Sequence, residues 1–136
     1  MNDKILDRYT SRESGGSDGG APTDETEIFD LGTFGFLRGS RERAVMLELR
    51  KKNGNILAIG YPWIEKVSFD PSEGITLHLP GQQVKIRGRN LNAEAIPKVK
   101  LFEAITRHRV PWIQEASERE SISAPKGTPV VDKIEW

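Results

Sequence analysis

Three turn signals separate short alternating apolar runs, and each fixes a register that sends the apolar residues to one common face. Slipping any strand by one residue would turn its apolar set outward, so agreement across the loops constrains the fold more than any other feature. In the first, a three-residue loop Lys52-Asn53-Gly54 places Gly54 at the left-handed position of a bulged hairpin. Leu49 then faces Leu57, and Leu47 faces Ile59. A two-residue loop would set Arg50 opposite Leu57 instead. In the second, Asp70-Pro71-Ser72-Glu73-Gly74 has the residue order of a type I turn. It pairs Phe69 with Ile75 and Val67 with Leu77. In the third, Gly81-Gln82 suits a type II′ turn. That turn pairs Leu79 with Val84 and Leu77 with Ile86.

The strands so defined are Ala44–Arg50, Ile56–Ile59, a weaker one over Lys66–Asp70, Ile75–Leu79 and Gln83–Arg87. After Gly88 the chain is expected to leave the sheet. Pro97 then opens a helix to Arg109, with Leu101, Phe102 and Ile105 as its apolar stripe. A sheet with one buried face needs a cover, and this helix is the candidate. The expected fold class is therefore α+β. It is a five-stranded antiparallel meander covered by one C-terminal helix, with flexible tails at both ends. A part-closed small barrel and a pleckstrin-homology-like arrangement both satisfy the pattern.

Domain organisation follows from composition. Residues 1–27 read as a disordered acidic tail with a Gly/Ser linker at Ser14–Gly20. Residues 28–116 form the single domain, opening on a glycine-interrupted apolar arm, Ile28–Leu37. Residues 117–136 read as a C-terminal linker and short apolar tail. The 136-residue chain has a formal net charge of zero, unevenly spread. Residues 1–30 carry three basic against eight acidic residues, residues 31–109 fourteen against seven, and residues 110–136 three against five. A basic body flanked by acidic ends suits either solubility or shielding of a basic surface.

The absence of cysteine excludes disulfides, thiol nucleophiles and the common structural zinc sites. The first twelve residues lack an apolar signal-peptide core, and no apolar run is long enough to span a bilayer. The expectation is a cytoplasmic protein without membrane contact. His78 and His108 have no metal-ligand spacing, and no Walker A, dinucleotide or nucleophile-elbow motif is present. No cofactor, metal or catalytic residue is assigned, and the chain is not expected to be an enzyme.

Candidate binding residues fall in two groups. The register sends Lys66, His78, Lys85 and Arg87 to the outer sheet face, with Arg89 just beyond, a set able to contact phosphates. That face lacks the aromatics on which single-stranded nucleic acid stacks, so nucleic acid is the less favoured partner. The second group is Val130, Ile134 and Trp136, behind a Pro/Gly-containing linker. These side chains suit a strand added to the sheet edge of this domain or of a neighbour, or a tethered peptide that docks elsewhere. Lys98, Lys100, Arg107, His108 and Arg109 cluster at the expected helix, where cations at the C-terminus favour its dipole. Tyr61-Pro62-Trp63-Ile64 offers aromatics either as a plug for one end of the sheet or as a peptide groove.

The run Val67-x-Phe69-Asp70, Ile75-x-Leu77 and Val84-x-Ile86-x-Gly88-x-Asn90-Leu91 resembles small bacterial β-domain families, including the YabP-type sporulation proteins. The likeness consists of strand alternation and turns, the following helix departs from it, and no function is carried over. The functional expectation is a non-catalytic interaction or structural module, with protein (self or other) as partner, acting through a sheet edge or its terminal arms. The alternative is polyanion binding by the basic sheet face.

Overall fold

The computed structural model describes residues 27–39 and 41–136, so the expected acidic tail and linker lie almost wholly outside the described residues. The first two hairpins form as their turn chemistry requires. β3 (Met46–Arg50) pairs antiparallel with β4 (Ile56–Gly60), Leu47 opposite Ile59 and Leu49 opposite Leu57. β5 (Lys66–Asp70) pairs with β6 (Gly74–Leu79), Phe69 opposite Ile75 and Val67 opposite Leu77. Asp70 organises that turn by accepting the backbone N–H and hydroxyl of Ser72, both at 2.8 Å. These bonds hold its carboxyl below the usual range.

The third hairpin turns one residue earlier than expected. Pro80 and Gly81 form the loop between β6 and β7 (Gln82–Arg89), closed by Leu79 opposite Gln82. Gly81 has φ of 77°, as the third position of a type II turn demands, and proline fits the position before it. The pairing therefore shifts by two residues, to Leu77 with Val84 and Ile75 with Ile86. A shift of two preserves side-chain parity, so the inner face is still Ile75, Leu77, Val84 and Ile86, all completely buried.

The meander covered by one C-terminal helix is not what these elements build. Among the described residues the protein is mostly β, with eleven strands in four sheets, two short helices and no closed barrel. The meander breaks at a 3-10 turn, Tyr61–Trp63, which sends β4 and β5 into different sheets. β10 (Trp112–Gln114) joins β3 in parallel, giving the order β10-β3-β4. β11 (Val130–Glu135) joins β7 antiparallel, giving β11-β7-β6-β5. Leu47 and Leu49 of one sheet share a single core cluster with Ile75, Leu77, Val84, Ile86 and Ile134 of the other. Sheet rather than helix supplies most of the cover.

The expected helix fails at its first turn. Pro97 and Lys98 are the loop of a small hairpin, β8 (Glu94–Ile96) and β9 (Val99–Lys100), in which Ile96 pairs with Val99. What remains is α1, Leu101–Thr106. It ends in a Schellman arrangement: the His108 N–H donates to the Ile105 carbonyl at 3.0 Å and the Arg109 N–H to that of Ala104 at 2.9 Å. His108 takes the left-handed position usually given to glycine, with φ of 58°, and its ring stacks on Tyr61 with centroids 4.6 Å apart.

Tyr61 is the plug of that end of the core. It is 2% exposed, its hydroxyl donates to the Val110 carbonyl at 2.7 Å, and burial pushes its pKa upward. Tyr61→Phe is therefore expected to cost about 1–2 kcal/mol, because a buried carbonyl loses its donor while the ring packing is kept. Urea unfolding of the two proteins measures the difference, and equal midpoints would contradict it.

Both chain flanks are built into the fold. The arm forms a hairpin, β1 (Ile28–Asp30) and β2 (Gly35–Leu37). Between its strands Phe34 bridges to Ile113, and the Thr33 hydroxyl donates to the Pro129 carbonyl at 2.7 Å. At the other flank, α2 (Glu118–Ser123) is capped by Ser117 and Glu120 in a reciprocal capping box. The flexible C-terminal tail expected with the meander is thus replaced by a helix and a sheet strand. Gly88 admits that strand: a Cβ there would overlap the Val130 carbonyl oxygen.

Candidate functional site

The five residues expected at the outer sheet face lie on neighbouring strands of one sheet, and most are already engaged. With the corrected register, Ser68, Thr76 and Lys85 form one row, and Lys66, His78 and Gln83 the next. Lys85 pairs with Glu73 at 3.2 Å. Arg87 pairs with Glu73 at 3.5 Å and with Glu135 of β11 at 3.0 Å. The Arg87 hydrogen bond is the main cause of a lowered Glu135 pKa, and Glu135 correspondingly raises that of Arg87. Both groups are well exposed, so the pair adds little stability. Arg89 is turned away to the backbone carbonyl and hydroxyl of Ser121. His78 lies between Ser68 and Gln83 at 3.4 and 3.3 Å. Lys66 alone of the five shows no side-chain partner among the described residues.

The second expected group separates by burial. Val130 and Ile134 are 5% and 1% exposed within the chain's own sheet, so the sheet-edge placement is the one adopted here. Trp136 stays half-exposed, with the Lys51 ammonium 4.0 Å above its ring.

Sequence patterns did not single out the free edge of β4. Tyr61 donates to Val45 and Lys51 to Asn55, which makes the odd-numbered residues of β4 the ones bonded to β3. The N–H groups of Ile56, Ala58 and Gly60 consequently point away from β3, where no strand lies among the described residues. Ile56–Gly60 contains no charge, proline or bulge, the usual protections of an edge. Beside it runs an apolar groove of about 440 Å³, lined by Met46, Trp63, Leu79 and Pro80 together with Ala58 and Gly60 of the strand itself. Trp63 is 65% exposed, and it rests over Gly60, where a Cβ would sit 3.1 Å from the indole. The Tyr61–Ile64 segment thus supplies both a plug, Tyr61, and a groove wall, Trp63. Ile56-Leu57-Ala58-Ile59 is a continuous apolar run, and such a run does not reveal which strand is left unpaired.

Among the described residues, no group of three or more His, Cys, Asp or Glu side chains converges to hold a metal ion. No helix there is long and apolar enough to cross a membrane. No protein-family model, curated protein or solved structure matches the chain.

Proposed function

We propose that the protein is a non-catalytic interaction module whose working surface is the open edge of β4, and that this edge pairs with the same strand of a second copy. The observation that carries the reading is an edge that no strand pairs among the described residues, that is uncharged, and that exposed Met46 and Trp63 border. Antiparallel pairing about Ala58 is self-complementary. It sets Ala58 opposite its copy and the exposed Ile56 opposite Gly60, next to the Trp63 wall. Each copy meets the other with the same patch, as a two-fold interface requires, and neither brings a charge into the ladder. The basic sheet face is a poorer candidate, because Glu73, Glu135 and Ser121 already engage its arginines and Lys85.

Sedimentation equilibrium tests the reading. The wild-type chain is expected to dimerise with concentration, with amide exchange slowed at Ile56 and Ala58. Ala58→Lys places like charges directly opposite each other, on a side chain exposed in the single chain, and is expected to leave a folded monomer. A wild-type chain that stays monomeric, or an Ala58→Lys dimer of equal affinity, would refute it.

A further inference from the structure

Beyond the β4 edge, the geometry points to an anion site between the β8–β9 hairpin and α1, built to take the phosphate group of a small phosphorylated compound. A cavity of about 160 Å³ lies there, lined by Phe36 and Ala104 together with Lys98, Lys100, Glu103 and Arg107. Arg109 also borders it, donating to the carbonyls of Leu37 and Gly39 at 3.1 and 2.7 Å. The one carboxylate lining the cavity among the described residues, Glu103, pairs with Arg107 at 3.1 Å. Lys98 and Lys100 therefore leave the cavity cationic among the described residues, with no charge counted for Arg109.

Two breaches of local preference coincide at this place. Lys98 sits in the left-handed region, φ 70°, at a turn position where glycine is free of strain. Lys100 occupies the N-cap of α1 and makes no capping bond, where a short side chain with an acceptor oxygen would serve better and an ammonium can accept nothing. Neither choice helps the hairpin or the helix, yet both project a cation to one cavity. Violations of local consistency concentrate where function is held. A dianionic phosphate offers acceptors to several such donors at once, while the small volume between Phe36 and Ala104 suits a single group rather than an extended polyanion.

Inorganic pyrophosphate is the probe, titrated into the full chain at fixed ionic strength and followed by thermal shift and by amide chemical shifts. The expected result is a saturable rise in Tm, with the largest amide changes over residues 97–107. Lys98→Gly removes the charge and relaxes the backbone together. It should keep or raise the Tm of the free protein while weakening pyrophosphate at least tenfold, so loss of binding is not confused with loss of folding. Lys85→Gln, on the sheet face, should bind as the wild type does. No saturable response of the wild type, or undiminished affinity of Lys98→Gly, would overturn the proposal. Sedimentation with phosphatidylcholine vesicles containing phosphatidic acid, without any response to soluble pyrophosphate, would overturn it as well.

Discussion

A chain lacking residues 126–136 is expected to lose cooperative folding rather than merely shed a tail. Those residues carry Val130, Val131 and Ile134, each 5% exposed or less. Burying three such side chains contributes roughly 5–8 kcal/mol, against a total of about 5–15 kcal/mol for a domain of this kind. The loss extends beyond apolar area. Glu115 accepts the Lys52 N–H through one oxygen at 2.9 Å and the Ile134 N–H through the other at 2.6 Å. One carboxylate thus ties the first hairpin loop to the last strand, and its second partner would vanish. Removing β11 would also expose the edge of β7 and strand the buried carbonyls that face it. Circular dichroism through a urea titration reads the outcome. An unchanged midpoint and slope would show that β11 is a peripheral attachment.

Phe34→Ala is expected to be the most damaging single truncation, at about 3–5 kcal/mol and a fall in Tm of roughly 15 °C or more. Phe34 is wholly buried and sits at a junction of three segments. Its backbone bridges to Ile113, its carbonyl receives the Leu31 N–H at 3.0 Å, and the neighbouring Thr33 carbonyl receives the Gln114 N–H at 3.0 Å. Those backbone bonds hold the walls in place, so the space left by the ring cannot collapse, and an unrelaxed cavity is the costly kind. Phe29→Ala provides the contrast. Phe29 is only half-buried, beneath the Arg38 guanidinium, and its loss should cost under about 1 kcal/mol. Thermal unfolding of the two variants side by side makes the comparison, and equal losses would contradict it.

What could be read from the sequence was what is local. Gly54 and the Asp70–Gly74 turn dictate their hairpins through backbone preference, and Leu47, Leu49, Phe69 and Ile75 then fall into register. The third turn misled by a single position, because Pro80-Gly81 and Gly81-Gln82 are both good turn dipeptides and both keep the apolar parity. Pro97 misled more seriously. A proline at the first turn of a helix and a proline opening a type II turn look alike, and only the tolerance of Lys98 for a positive φ decides between them. The larger omissions were pairings between distant segments. Trp112–Gln114 against β3 and Val130–Glu135 against β7 leave no signature in either partner alone. The open edge of β4 was hidden for the same reason: an edge is defined by what fails to pair with it, which is a property of the whole sheet.

The Thr33–Pro129 hydrogen bond spans 96 positions, and β7 takes its outer neighbour from β11. On a ribosome this order has a kinetic meaning. The arm at Thr33, the edge of β7 and the first hairpin loop all emerge long before the segment that completes them. Until residue 135 has cleared the exit tunnel, the nascent chain can hold its local hairpins but not close its core. Such non-local closure is slow and leaves strand edges open to neighbouring chains. Synthesis therefore passes through an interval in which the β7 edge lies open, and that interval ends only when β11 arrives.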